Sequence, residues 1–300
     1  MKKLFLSLFV VCLTAGAAVG VTTGITDAAP TASQLTNIST RALVQTGGNV
    51  IIGGFIVEGT GPKKLILRAI GPELIPYGVP NVLENPTLEL HDGTGALIAS
   101  NDNWLQNSGH APTVATESAI IANLPPGNYT AIIRGVNNTM GVALVEAYDL
   151  SETIPSPSVL SNISTRGFVQ TNDEVMIGGF IVQGAVAKRV IIRAIGPELI
   201  PYGIVNGLPD PRLELHDATG ALIASNDDWQ HTIKGGIITA DQVAAIRASG
   251  FAPTVPTESA IIANLPAGNY TAIVRGKNIV VGVALVEVYD LDMGAAGNSD

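Results

Sequence analysis

The feature that most constrains this chain is an internal repeat. Residues 35–104 align with residues 160–229 without a gap, and 48 of the 70 positions are identical. Residues 111–150 align with residues 252–291, with 32 of 40 positions identical. The offset between aligned residues rises from 125 to 141 between these blocks, which places a 16-residue insertion after Trp229. Solenoid and propeller units repeat every 20 to roughly 50 residues, so this longer period predicts two whole homologous domains.

Within each copy the local pattern indicates β-structure. Short apolar or alternating runs such as "KKLILRAIG", "TLELHD" and "NYTAIIRG" are separated by Gly, Pro, Asn and Asp, and "DGTG" and "DATG" predict hairpin turns. The insertion contains "TADQVAAIRASGF", which predicts one short helix with Thr239 and Gln242 as a capping box. The expected fold class is all-β: two tandem homologous antiparallel β-sandwich domains, jelly-roll-like, with one short helix inserted in the second.

The segments around the repeats predict the organisation and the destination of the chain. Two lysines, an apolar run and small residues at the start are typical of a secretory signal peptide, although the cleavage site stays open. We therefore expect a signal peptide at residues 1–20, an N-terminal arm at 21–34, repeat 1 at 35–150, a Pro/Ser-rich linker at 151–159, repeat 2 at 160–291 and a C-terminal tail at 292–300. The expected location is extracellular or on the cell surface, with no membrane span and no cysteine in the mature chain, since Cys12 lies within the signal.

Composition and motifs exclude several classes of function. The net charge of −9 and the absence of a basic cluster argue against nucleic-acid binding. The sequence has no nucleophile elbow, no HExxH helix and no phosphate-binding glycine loop before a helix. We therefore expect no catalytic residues and no enzyme activity.

Part of each copy resembles a known family. The order strand, hairpin, apolar strand, Asn/Asp loop and closing strands in "TLELHDGTGALIASND", "ESAIIANLPPGNYTAIIRG" and "GVALVEAYDL" resembles the pre-peptidase C-terminal type of bacterial jelly-roll domain. The likeness covers about the last 65 residues of each copy. The first half, with "NISTR" and "RAIGPELIPYG", departs from that type and is similar to tandem uncharacterised domains of secreted bacterial proteins. The resemblance implies a sandwich module of secreted proteases or surface proteins, some of which bind calcium, but the peptidase partner is missing from this sequence.

Oxygen-bearing side chains recur after the second strand of each hairpin. Carboxylates and amides at adjacent loop positions suit Ca²⁺, which takes six to eight oxygen ligands. The alternative is that Asn and Asp end the strand by bonding the local backbone. The candidate calcium ligands are Asp217, Asn226, Asp227, Asp228 and Glu258 in repeat 2, with Asp92, Asp102 and Glu117 as a weaker set in repeat 1. No cofactor other than Ca²⁺ is expected.

Aromatic residues make up only 5% of the chain, so each repeated one is informative. Trp104 and Trp229, with Tyr77 and Tyr202, are candidate platforms for a sugar ring. The alternative for the tryptophans is that each covers the open end of a sandwich core.

Charged residues also recur inside apolar strands. A buried isolated charge is very costly, so these residues should pair across strands and fix the strand register, or lie on an exposed face. The expected structural charge pairs draw on Arg68, Arg134 and Glu146 in repeat 1 and on Arg193, Arg275 and Glu287 in repeat 2.

Together these features predict an exported, non-catalytic structural or surface protein that serves in a matrix, in adhesion or in an appendage. The expected partners are other proteins or further copies of the chain, which fits the low charged share of 14%. The alternative is a carbohydrate-binding protein for polysaccharide, with or without calcium.

Overall fold

The computed structural model describes residues 34–104, 112–150, 158–172 and 174–292. These residues form almost only antiparallel strands, which confirms the all-β prediction. The predicted signal peptide, nearly all of the N-terminal arm, residues 151–157 of the linker and residues 293–300 of the tail lie outside the described residues. No helix among the described residues is long and apolar enough to cross a membrane.

Each repeat contributes eight strands in the same order. The strands of repeat 1 are β1 (Gln34–Val44), β2 (Ile51–Gly59), β3 (Lys63–Ile70), β4 (Pro86–Asp92), β5 (Leu97–Asn101), β6 (Ser118–Leu124), β7 (Gly127–Gly135) and β8 (Gly141–Asp149). The strands of repeat 2 are β9 (Ser158–Val169), β10 (Met176–Gln183), β11 (Lys188–Ile195), β12 (Pro211–His216), β13 (Leu222–Asn226), β14 (Ser259–Leu265), β15 (Gly268–Gly276) and β16 (Gly282–Asp290).

The strands lie in two rows that run through both repeats. Row A has the order β6-β3-β8-β1-β10-β15-β12-β13, and row B has the order β5-β4-β7-β2-β9-β16-β11-β14. The first strand of each repeat thus pairs with the second strand of the other repeat, as β1 with β10 and β9 with β2. Because each row contains four strands from each repeat, the division into two separate domains stays a prediction.

The rows pack face to face over one hydrophobic core that draws residues from both repeats. A methyl group added to Gly53 in row B would lie 3.3 Å from the side chain of Val145 in row A. At the centre, β1 and β9 run parallel and meet at Leu35–Leu160 and Leu43–Phe168.

This close approach depends on small side chains. A Cβ added to Gly167 of β9 would lie only 2.7 Å from the Cβ of Ala42 in β1, which is too close for two methyl groups. These two residues occupy the same position in the two repeats. The centre therefore has room for alanine in one repeat but not for alanine in both.

Helical structure is limited. The insertion forms α1 (Val243–Ala248), as its pattern predicts, and short 3-10 helices lie at Pro72–Tyr77, Val136–Asn138, Pro197–Tyr202 and Lys277–Ile279. The predicted capping box is wrong, because α1 begins after Gln242 and has no side-chain cap. The Gln242 side chain instead bonds the backbone of Ile262 in β14.

The packing of Ala42 against Gly167 gives a test of the central junction. We expect Gly167→Ala to lower the free energy of unfolding by about 1–3 kcal/mol, because the added methyl overpacks the contact between β1 and β9. The double variant Ala42→Gly/Gly167→Ala, which exchanges the residues between repeats, should recover most of that loss. Urea unfolding of the three chains measures both effects, and additive losses in the double variant would contradict this account.

Candidate functional site

A groove lies on the outer face of row A, where the two repeats meet. It holds about 740 Å³ of space open to solvent. Gly179 of β10 lies beside Ser39 of β1 and leaves the space that a side chain would fill. The groove is lined by residues that include Asn37, Ser39, Arg68, Glu73, Leu74, Tyr77, Leu144, Glu146, Tyr148, Ile177, Ile181 and Thr271.

The charged floor of the groove is a network centred on Arg68. Arg68 and Glu146 lie directly opposite each other on β3 and β8, and the Arg68 Nε donates to Glu146 Oε2 at 2.9 Å. The Tyr148 hydroxyl donates to Glu146 Oε1 at 2.7 Å, and the guanidinium lies 5.1 Å from the Tyr148 ring centroid. Burial alone would lower the pKa of Arg68, but the neighbouring Glu146 carboxylate raises it above its ordinary value. The residue is therefore a fixed cation.

The lining of the groove combines a buried amide, an aromatic ring and a small net negative charge. Asn37 is 5% exposed, and its Nδ2 has no hydrogen-bond partner among the described residues. With Arg68 paired to Glu146 and Glu73 nearby, the charged lining residues sum to −1, which disfavours a phosphate or another anion. The half-buried Tyr77 adds an aromatic wall. This combination of ring and carboxylates suits a neutral polar ligand.

Repeat 2 builds the same network but partly covers it. Arg193 pairs with Glu287 directly across β11 and β16, and the Tyr289 hydroxyl donates to Glu287 at 2.7 Å. Phe251 of the insertion stacks on Tyr289 with ring centroids 4.2 Å apart, and its carbonyl accepts from Arg193 at 2.9 Å. The insertion therefore occupies the tyrosine face in repeat 2.

The other predicted charged residues lie near the strand surface. Arg134 lies 3.9 Å from Glu89, and Arg275 lies 3.6 Å from Glu214. These pairs are partly exposed, so each contributes little to stability.

Glu117 and Glu258, two of the candidate calcium ligands, are fully buried and serve the fold. Glu258 Oε1 accepts from the backbone N–H of Gly196 and of Glu198, at 3.0 and 2.8 Å. Glu117 Oε1 makes the equivalent pair of bonds in repeat 1. Burial raises the pKa of Glu117 to about 7 and that of Glu258 to about 8, and the neighbouring glutamate of each adds to the effect.

The hairpin acids also hold backbone. Asp92 Oδ1 accepts from the N–H and hydroxyl of Thr94 and from the N–H of Ala96, and Asp217 makes the same three bonds in repeat 2. Asn226 Oδ1 accepts from Ala260 N, which ties the loop to β14. This is the backbone-bonding alternative that the sequence left open.

Asp227 and Asp228 surround an ammonium group. Lys277 Nζ lies 2.8 Å from Asp227, 3.7 Å from Asp210 and 3.9 Å from Asp228. In repeat 1 the aligned residues are Val136 for the lysine, Asn85 for Asp210 and Asn103 for Asp228, with Asp102 retained. The extra carboxylates and the lysine thus occur together in repeat 2. The described residues contain no group of three His, Cys, Asp or Glu arranged to hold a metal ion, and calcium binding stays a prediction.

The candidate aromatic platforms differ in exposure. Trp229 is 5% exposed, packs with Ile246 and Ile262, and donates from Nε1 to the carbonyl of Val255 at 3.2 Å. Trp229 is therefore packed into a hydrophobic cluster, as the alternative to a sugar platform predicts. Trp104 is half-buried, Tyr202 is 82% exposed, and Tyr77 alone among the four lines the groove.

Several residues of these networks did not stand out in the sequence. Asn37, Glu73 and Tyr148 belong to the groove, and Lys277 belongs to the carboxylate cluster. The comparison of the two copies carried a signal for the lysine, because three aligned positions change together around it.

No protein-family model matches the chain, and no curated protein matches it.

The raised pKa values of Glu117 and Glu258 predict a pH-dependent stability. The folded chain binds these two protons more tightly than the unfolded chain, whose glutamates titrate near 4.5. The resulting stabilisation is present below pH 4.5 and is lost as the pH rises through about 7 to 8. We expect the double variant Glu117→Gln/Glu258→Gln to keep the backbone bonds and to lose this part of the pH dependence. Urea unfolding at pH 5 and pH 9 measures it, and equal pH slopes for the variant and the natural chain would contradict the assignment.

Proposed function

We propose that the chain is an exported, non-catalytic structural or surface protein that acts through contacts with other proteins and with further copies of itself. The observation that carries this proposal is the pair of strand rows shared by both repeats, which joins them through a common core. Two extended rows of strands present long sheet faces and free strand edges, which are the elements by which β-proteins bind partners.

The polar side chains support the proposal because they are engaged in holding the fold. Asp92 and Asp217 hold turns, Glu117 and Glu258 hold the Gly-Pro-Glu segments, and Arg68 is bonded to Glu146. A catalytic carboxylate or base needs to reach a substrate, and these groups contact backbone or one another instead.

Labelling of producing cells tests the proposed role. We expect an antibody against residues 35–291 to label the outer surface or the matrix of intact cells. Removal of residues 2–20 should keep the protein inside, because the predicted signal would be lost. Label confined to the cytoplasm of cells that make the natural chain would contradict the proposal.

A second candidate function, polysaccharide binding, is favoured by the groove. Tyr77 supplies a ring, and Glu73 supplies a carboxylate that can accept from sugar hydroxyls. The apolar walls from Leu144 and Ile177 suit the carbon faces of a sugar.

The two repeats provide a matched pair of variants for this candidate. We expect Tyr77→Ala to weaken binding on a polysaccharide array by about tenfold or more, since a stacking ring contributes roughly 0.5–1.5 kcal/mol beyond its buried area. Tyr202→Ala removes the aligned residue of repeat 2, which is 82% exposed, and should leave binding unchanged. Equal losses in both variants, or no binding by the natural chain, would exclude the groove as a sugar site.

A further inference from the structure

The two ends of the paired rows differ. At the end formed by repeat 2, which we call the capped end, the edge strands are β13 and β14. The insertion bonds the backbone of both strands, although Leu222 at the start of β13 stays 52% exposed. Ile237 N donates to the carbonyl of Ile223 in β13 at 2.9 Å. The Gln242 amide accepts from Ile262 N of β14 at 3.1 Å and donates to Ile262 O at 2.5 Å, as a neighbouring strand would.

At the end formed by repeat 1, which we call the open end, the edge strands are β5 and β6. Ile121 of β6 occupies the position of Ile262 and is 41% exposed, whereas Ile262 is 8% exposed. Ile98 of β5 occupies the position of Ile223 and is 46% exposed. No hydrogen bond to the outward N–H or carbonyl of Ile121 is found within the described part of the chain.

An uncovered edge of this kind is a template for another strand. Proteins protect such edges with lysine, proline, bulges or a covering segment. Neither β5, with the sequence LIASN, nor β6, with the sequence SAIIANL, contains a charged residue or a proline. The pattern at the capped end shows that the outward groups of this strand accept a partner with strand-like geometry.

We propose that the open end docks against the open end of a second copy, by antiparallel pairing of β6 with β6 about Ile121, and that the insertion at the capped end stops assembly at two chains. This inference rests on the proposed self-association and specifies its surface and its limit.

A second copy is the occupant that the strand composition fits. In antiparallel pairing about Ile121, that residue faces itself and Ala119 faces Asn123, so no like charges oppose each other. The Ala119 N–H already donates to Asn101 Oδ1 at 3.0 Å, so the new ladder relies on the N–H and carbonyl of Ile121. Ile121 of both copies would then be covered together. The chain already extends its sheets from one repeat into the other by antiparallel pairing, as β1 with β10 and β9 with β2.

Assembly stops at two chains because the two ends of the molecule differ. Contact between identical open ends is isologous, and the capped end offers no second uncovered edge equivalent to β6 within the described residues. A molecule with two open ends would instead continue to add copies.

The mass of the mature chain in solution tests the pairing. Sedimentation equilibrium should show a concentration-dependent dimer. Ile121→Lys should raise the dimer dissociation constant by about 100-fold or more, because two ammonium groups would face each other. Ile233→Lys is the matched control, since Ile233 is 43% exposed and belongs to the insertion. It should leave the dimer intact. A natural chain that stays monomeric, or equal weakening by both variants, would overturn the pairing.

A charge exchange tests the register independently of any loss of folding. Ile121→Asp should also be monomeric, and an equimolar mixture of Ile121→Asp and Ile121→Lys should form dimers again. A mixture that remains monomeric would overturn the pairing about Ile121.

Two further variants test which segment pairs with β6 and whether the insertion limits assembly to two chains. A chain that begins at residue 34 should still dimerise, whereas loss of the dimer would assign the edge to the N-terminal arm and overturn the pairing of β6 with itself. Replacement of residues 230–251 by the six-residue loop 105–110 of repeat 1 should yield assemblies larger than two. A chain with that replacement that stops at dimers would overturn the role of the insertion. A monomeric natural chain that still labels the cell surface would refute this inference and leave standing the proposed surface role through contacts with other proteins.

Discussion

The pairing of each repeat's first strand with the second strand of the other repeat is the constraint on which the rest of the structure depends. β1 lies between β8 of its own repeat and β10 of the other, and β9 lies between β16 and β2. Neither row is complete without both repeats, so the core is shared. The groove exists for the same reason, because β8 and β10 supply its walls on either side of β1.

Buried charges reinforce this arrangement by fixing the strands next to the junction. β3 and β8 are joined by Arg68–Glu146 and by Lys63–Asp149, whose atoms Nζ and Oδ2 are 2.5 Å apart. β11 and β16 carry the equivalent Lys188–Asp290 pair at 2.7 Å. Burying such charges is costly, and their attraction offsets the cost only when the partners meet. A shift of either strand by one residue would separate both pairs, so they select one register more than they add stability.

The sequence predicted what depends on local pattern. Alternation and turn residues predicted the hairpin at Asp92, and the segment TADQVAAIRASGF predicted the helix in the insertion. Cross-pairing was not predictable in this way, because β2 and β10 share the sequence IGGFIV and either fits the neighbour of β1 equally well by pattern. The partner of Gln242 was missed for a related reason. Its side chain could bond the helix or a strand edge, and only the tertiary position of β14 decides between them.

The differences between two nearly identical repeats show what a covered edge requires. Ordering each residue of a loop costs roughly 1–2 kcal/mol of backbone entropy, so a segment that merely passes an edge would not stay there. The insertion remains because it brings its own apolar cluster, in which Ile246 is 1% exposed and packs with Trp229 and Ile262. The hydrogen bonds of Gln242 are then made by a side chain that the helix already holds in place. Repeat 1 lacks the inserted sequence, and the same strand sequence, SAIIANL, is covered at Ile262 in one repeat and exposed at Ile121 in the other.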